Sequence, residues 1–202
     1  LVDPRGNLQI ITKRRLSLAY PDDYPGAVEF SQDFEDEVKS AIAEAIHLSS
    51  ARERLGIRAV ICVSMREGFV LLDSERRVIY AGPNADYRAV KEARELHHNI
   101  GSTVYRATGQ WITPPGGAIQ APCRLLWFAR HHPERLDRCV TFMMLSDWLA
   151  SLFSRELVCE VSSASSSALL DLSTAEWRLD IVDYIGARHS MFPSVVASGT
   201  VI

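Results

Sequence analysis

The sequence predicts an α/β domain: a mixed sheet with helices packed on it and a helical region inserted among the strands. Three observations carry this. Strand-like segments come first, as a hairpin set, and then alternate with helical ones, which is the order of an α/β domain. Residues 57–65, Ile57-Arg58-Ala59-Val60-Ile61-Cys62-Val63-Ser64-Met65, are almost continuously apolar after Arg58, and a short β-branched run of this kind reads as a strand buried on both faces. Between Gln32 and Ser49 the apolar period is helical instead. Phe34, Val38, Ala41, Ile42, Ala45 and Ile46 fall on one face, the pattern of an amphipathic helix packed on a sheet.

Taken in order, Leu1-Val2-Asp3, Pro4-Arg5-Gly6-Asn7 and Leu8-Gln9-Ile10-Ile11 read as strand, tight turn, strand. Proline suits an early turn position, and Gly-Asn tolerates positive φ. Residues 8–19 continue as a strand, and Ala27-Val28-Glu29-Phe30 form another short one. Ser31 or Asp33 caps the helix that follows, and Glu35 and Lys39 pair across one turn on its outer face. Phe69 to Asp73 and Val78 to Tyr80 form a hairpin around Ser74-Glu75-Arg76-Arg77. Helices follow near 85–98, 119–131 and 144–153, with a shorter one near 175–185, and a strand at 139–143 precedes the third. Trp127 and Trp148 have core spacing. Pro114-Pro115-Gly116-Gly117 reads as a turn, and the serine-rich Ser162–Ser167 as a packed small-residue turn rather than a linker.

Composition narrows the function classes. The 202 residues carry 22 Lys and Arg against 25 Asp and Glu, a net charge of −3, and 47% are hydrophobic. A core of ordinary size follows. The densest basic run is only Lys13-Arg14-Arg15, which argues against a nucleic-acid partner. No apolar stretch reaches the roughly 18 residues a spanning helix needs, and the N-terminus is no signal peptide. A cytoplasmic protein with no membrane partner is expected. Cys62, Cys123, Cys139 and Cys159 are widely separated and form no C-x-x-C pair, so they read as reduced structural thiols. The His97-His98 and His131-His132 doublets do not suggest a metal site, because neighbours on a helix point about 100° apart. No metal is expected. The sequence also contains no G-x-x-x-x-G-K-[ST] phosphate loop.

The segment with most chemical content is Ser64-Met65-Arg66-Glu67-Gly68. A run predicted to be buried delivers a cation, an anion and a glycine in succession. Such charges are costly at a strand end unless paired or open to a cleft, and strand C-terminal ends are where α/β proteins bind ligands. Arginine offers a planar fork of donors and glutamate only acceptors, so together they suit adjacent hydroxyl groups of a polyol. The alternative is a solvent-exposed turn carrying a salt bridge.

These residues also resemble a family. Val2-Asp3-Pro4-Arg5-Gly6, Pro25-Gly26-Ala27-Val28-Glu29 and Ser64-Met65-Arg66-Glu67-Gly68 carry the likeness in the first third. Pro83-Asn84-Ala85-Asp86-Tyr87-Arg88-Ala89, Tyr105-Arg106-Ala107-Thr108-Gly109-Gln110 and Arg124-Leu125-Leu126-Trp127 carry it in the middle. Ser146-Asp147-Trp148-Leu149 and Leu169-Leu170-Asp171-Leu172 follow. In this order and spacing they resemble the N-terminal domain of the FGGY carbohydrate kinases, and most closely the autoinducer-2 kinases among them, over nearly the whole chain.

The resemblance implies an actin-like, ribonuclease-H-like domain and transfer of the ATP γ-phosphoryl group to a sugar or polyol hydroxyl. The acceptor it implies is autoinducer-2, a linear dihydroxy-pentanedione, or a related ketose. Carried over residue by residue, it makes Arg66 and Glu67 substrate ligands, with Met65 lining the same pocket. Asp86 and Arg88 match a W-x-D-x-R-like segment in which Asn84 replaces the tryptophan. They either shape the pocket or, for Asp86, cap a helix start. Gln120 lies where the family places a pocket-facing residue. Asp147 is left open between an outward or cap-like role and a pocket role.

The family's first strand, with its Asp-x-Gly-Thr loop, would precede Leu1. Its catalytic Asp base would follow Ser198-Gly199-Thr200, and its ATP-binding domain would come after that. The expectation is therefore that residues 1–202 form a partial sugar-binding domain truncated at both ends, with no catalytic residue, cofactor or activity of its own. ATP and Mg²⁺ belong to the full-length enzyme. A sheet lacking its first strand leaves an open edge, which predicts a homodimer. A non-catalytic sugar-binding or sensor module is the alternative function.

Overall fold

Phe69-Val70-Leu71-Leu72 contains no polar residue, and it forms the most buried strand of the chain. The computed structural model describes residues 1–22 and 24–202. These form two compact units, Leu1–Ala19 with Phe30–Ile61, and Tyr20–Glu29 with Cys62–Ile202.

In the first unit the opening turn forms as expected. Gly6 takes φ +84°, Asp3 accepts backbone N–H bonds from Arg5 and Asn7 at 2.8 and 2.9 Å, and a single bridge joins Val2 to Leu8. Strand structure is much shorter than predicted: β1 covers Leu18–Ala19, and β2, Glu29–Phe30, lies where the chain passes between units. Helix α1 runs Phe34–Leu48, with Asp33 at its N-cap but no side-chain capping bond. Three acids in its first turn suit the helix dipole instead. Lys39 and Glu35 pair at 2.6 Å as predicted, and Phe30 stacks on Phe34 at 4.3 Å. Of the predicted apolar face only Phe34 and Val38 are buried. Helix α2, Ala51–Gly56, is started by a capping box between Ser50 and Glu53.

The strand predicted at 57–65 does not form. Among the described residues nothing pairs with this segment, and Val60, Ile61 and Val63 are 54%, 85% and 81% exposed. Composition favours a strand, but a strand exists only where a neighbour supplies its ladder. The strand buried on both faces is instead β3, Phe69–Leu72.

In the second unit β3 lies between β4 (Val78–Gly82) and β5 (Thr141–Met144), antiparallel to both. Phe69 pairs with Gly82 on one side and Met144 on the other. Phe69, Leu71, Tyr80, Phe142 and Met144 share one face and pack in the main core with Leu96, Val104, Leu125 and Phe128. Val70, Ala81 and Met143 on the other face are also buried. The helices of this core are α3 (Val90–Thr108), closed by Gly109 in the left-handed conformation, and α4 (Ala121–His131), which has proline in its first turn. After α5 (Pro133–Arg138) and β5 comes α6 (Leu145–Ser154), which begins directly at the sheet and buries Trp148. The remainder is β6 (Cys159–Glu160), α7 (Val161–Ser165), the antiparallel pair β7 (Leu170–Asp171) and β8 (Glu176–Trp177), α8 (Leu179–Ile185), and β9 (Val195–Val196), which pairs with β6 in parallel. No helix among the described residues is long and apolar enough to cross a membrane.

Candidate functional site

Arg66 and Glu67 form the turn that leads through Gly68 into β3. The two side chains part company: Arg66 is 80% exposed while Glu67 is 9% exposed, and Arg66 Nε lies 3.8 Å from Glu67 Oε1. Glu67 adopts φ +59°, a left-handed conformation that is uncommon for a residue with a Cβ. Met65 is exposed, and its sulfur accepts the backbone N–H of Asn84 at 3.4 Å. The turn thus presents an exposed guanidinium loosely paired with a shielded carboxylate, a donor and acceptor suited to neighbouring hydroxyl groups.

Behind the turn lies a buried polar network. Arg124 on α4 is completely buried, and its guanidinium donates to the Glu67 carbonyl, to the Pro83 carbonyl at 3.1 Å and to the Tyr80 hydroxyl at 3.0 Å. The Tyr80 hydroxyl in turn donates to Asp86 Oδ2 at 2.7 Å. Asp86 is 0% exposed; both its carboxylate oxygens accept from Arg88 Nε at 2.9 Å, and Oδ1 also accepts the Val28 N–H at 3.3 Å. Arg88 continues to Glu29 at 2.8 Å, and Arg135 reaches the same carboxylate at 3.2 Å. Burial, the largest influence, drives the Tyr80 hydroxyl well above the ordinary tyrosine range, so it stays a donor to Asp86.

The six predicted site residues therefore occupy different positions. Met65, Arg66 and Glu67 are contiguous. Asp86 is linked to their turn through Tyr80 and Arg124, and the neighbouring Asn84 N–H reaches the Met65 sulfur. Gln120 is the residue before α4, four positions from Arg124, and its Oε1 is buried without a partner among the described residues. Asp147 lies on α6, whose first residue, Leu145, donates its N–H to the Gly68 carbonyl at 3.0 Å. Its Oδ1 accepts the Glu160 N–H at 3.3 Å, the Cys159 and Ser163 side chains also lie against the carboxylate, and no hydrogen bond reaches the buried Oδ2 among the described residues. Desolvation, reinforced by the Glu160 carboxylate, pushes the Asp147 carboxyl up to about 6. A surface hollow of about 490 Å³ lined by Thr103, Arg106, Asp171 and Arg178 shares no residue with this site.

Comparison with known proteins assigns the scaffold. Residues 1–202 match the N-terminal domain of the FGGY family of carbohydrate kinases. The chain belongs to that family. Its relatives include an autoinducer-2 kinase from Escherichia coli (strain K12), 38% identical over 190 residues that cover 92% of this chain and 34% of that kinase. One from Klebsiella pneumoniae is 36% identical over 190 residues, covering 90% and 34%. The chain spans about a third of the length of these curated relatives. Among solved FGGY structures, a ligand-bound xylulose kinase from Lactobacillus acidophilus superposes with a TM-score of 0.79 at 18% identity, covering 94% of this chain and 37% of that one. Plasmodium falciparum glycerol kinase with ADP gives 0.76 at 16%, covering 96% and 39%. The fold is thus the actin-like, ribonuclease-H-like one of the FGGY sugar kinases, as the resemblance implied.

Sequence reasoning did not find Arg124, Tyr80 or Glu29 as parts of the site. Arg124 carried a signal, being the one cation within Ala121-Pro122-Cys123-Arg124-Leu125-Leu126-Trp127-Phe128, a stretch of α4 that is buried throughout. Tyr80 and Glu29 carried none, because a tyrosine within a strand and a glutamate at the start of one are both ordinary.

Proposed function

We propose that the protein carrying this chain is an ATP-dependent carbohydrate kinase that phosphorylates a hydroxyl of a small sugar or polyol, and that this chain contributes the acceptor-binding part. Membership of the FGGY family supports the reaction class. The two autoinducer-2 kinase relatives support autoinducer-2, or a related ketose, as the acceptor. The observation that carries the reading is the Arg66–Glu67 turn, with its exposed guanidinium and shielded carboxylate 3.8 Å apart.

In this reading Glu67 accepts hydrogen bonds from two acceptor hydroxyls, and Arg66 donates to a hydroxyl or carbonyl oxygen beside them. Their part is to bind and orient the acceptor so that one hydroxyl faces the phosphoryl donor. Met65 gives the acceptor's carbon chain an apolar wall, and Gln120 contributes its unpartnered carbonyl oxygen. ATP supplies the phosphoryl group. Family membership supports ATP as the donor, and the residues that hold it are not assigned in this proposal. The isolated chain is accordingly proposed to bind acceptor without turnover.

The test is phosphoryl transfer from ATP by the protein carrying this chain, across a panel containing the linear dihydroxy-dione, xylulose and glycerol. Turnover with at least one small polyhydroxy acceptor is expected, and none from residues 1–202 alone. Saturable acceptor binding with no turnover by the whole protein would favour a sensor, and turnover by residues 1–202 alone would refute the division of labour.

A further inference from the structure

The arginine behind the turn does more than fill the core. Arg124 is 0% exposed, yet all three of its hydrogen-bond acceptors are neutral: the Glu67 carbonyl, the Pro83 carbonyl and the Tyr80 hydroxyl. Among the described residues no carboxylate contacts it directly. Its guanidinium lies instead 4.2 Å from the centre of the Phe69 ring. A buried cation on neutral acceptors is a poor source of stability compared with an apolar side chain. Its rigid fork is, however, well suited to fixing two carbonyl groups at once. Those carbonyls belong to the turn entering β3 and to the loop leaving β4, both beyond the end of the antiparallel ladder marked by the Phe69–Gly82 pair.

What this clamp holds is the unusual backbone of the site. Glu67 sits at φ +59°, a conformation that persists in a non-glycine residue only where its surroundings over-determine it. A charge-assisted bond to the carbonyl of that same residue is such a constraint. The Pro83 carbonyl, held by the same guanidinium, directly precedes Asn84, whose N–H holds the Met65 sulfur at 3.4 Å. Gly82 leaves room for the clamp: a Cβ there would lie 2.7 Å from Arg124 Nη1 and 1.8 Å from the Tyr80 hydroxyl. Tyr80, Asp86, Arg88 and Glu29 then continue the network away from the turn.

We propose that Arg124 is a positioning residue of the acceptor site, fixing the Glu67 backbone so that the carboxylate is already aimed before the acceptor arrives. This rests on the reading of Arg66 and Glu67 as acceptor ligands. Asp86, through Tyr80, supports Arg124 and does not touch the acceptor.

The experiment compares Arg124→Met, Arg124→Lys and Tyr80→Phe in the full-length protein, with Glu67→Gln and Arg66→Ala as controls on the site itself. Readouts are kcat, the KM values for acceptor and ATP, and amide hydrogen exchange of residues 64–69 against α3. Arg124→Met is expected to raise acceptor KM about tenfold, since small misplacement of a binding group is costly. The ATP KM should stay within about twofold, with faster exchange at 64–69 and unchanged exchange in α3. Arg124→Lys should recover part of the loss, and Tyr80→Phe should show a smaller effect in the same direction. A folded Arg124→Met with unchanged acceptor KM overturns the proposal, as does loss spread equally over kcat, both KM values and α3 exchange. If Arg124→Met does not fold, Arg124→Lys and Tyr80→Phe decide, and unchanged acceptor KM in both overturns it. Unchanged acceptor KM in both Glu67→Gln and Arg66→Ala instead removes the acceptor-site reading itself, whatever Arg124 does.

Discussion

Replacing Asp147 with asparagine should change how stability depends on pH, and the sign follows from the site. Burial, with the neighbouring Glu160 carboxylate adding to it, raises the Asp147 carboxyl from 3.8 to about 6. The native state therefore holds this proton more tightly than the unfolded chain does. The cost of ionising the buried group is absent below 3.8, grows as the pH rises and is complete above about 6. A shift of this size corresponds to about 3 kcal/mol as an upper value, at about 1.4 kcal/mol per unit. The neighbours do not interfere in that window. Despite partial burial, Glu160 is held down at about 2 by its serine and backbone hydrogen bonds, and desolvation keeps the Cys62 and Cys159 thiols raised. Asp147→Asn removes the ionisation, while its side-chain oxygen still accepts from the Glu160 N–H. Urea unfolding of both proteins between pH 4 and pH 8, followed by tryptophan fluorescence, measures the difference. Relative to the wild type, the variant should gain about 2–3 kcal/mol across that range. Any constant cost of the unpaired amide cancels. A difference flat to within about 0.5 kcal/mol would refute the reasoning.

Other perturbations read other parts of the structure. Gly82→Ala places a methyl group 1.8 Å from the Tyr80 hydroxyl and 2.7 Å from Arg124, so chemical denaturation should show a loss of about 2 kcal/mol or more. Asp86→Ala removes the acceptor of the Tyr80 hydroxyl and leaves buried Arg88 with Glu29 alone, for an expected loss of about 3–5 kcal/mol. A loss under about 1 kcal/mol would contradict the network. The exposed Val60, Ile61 and Val63 are proposed to drive self-association of the isolated chain. Light scattering should show mass rising with concentration, and Ile61→Lys with Val63→Lys should suppress it.

Much of the fold was legible because its signals are local. The 69–80 hairpin, α4, α6 and the turn at Gly6 all follow from short patterns of apolar residues, prolines and glycines. Helix α3 was placed too early: Pro83 to Ala89 is polar enough to suggest a helix start, but Asp86 and Arg88 turn inward to each other and the helix begins at Val90. The run at 57–65 was misread because composition reports a strand's preference and not whether a neighbour exists to pair with it. The Arg66–Glu67 turn stood out as charge at the end of an apolar run. The shielded Glu67 and exposed Arg66 go with a left-handed backbone at Glu67, whose carbonyl is contacted by Arg124, 57 residues later. No local pattern encodes that contact. Asp147 is similar, since its hydrogen-bond partner is the Glu160 N–H, 13 residues later.

The central claim is that Arg66 and Glu67 bind the acceptor, and its most direct measurement is calorimetric titration of the acceptor into the full-length protein and into Glu67→Gln. The variant keeps the size of the side chain but replaces one acceptor oxygen with a donor. Weakening by about tenfold or more, with ATP affinity unchanged, is the predicted result. Equal acceptor affinity in the two proteins would contradict the account.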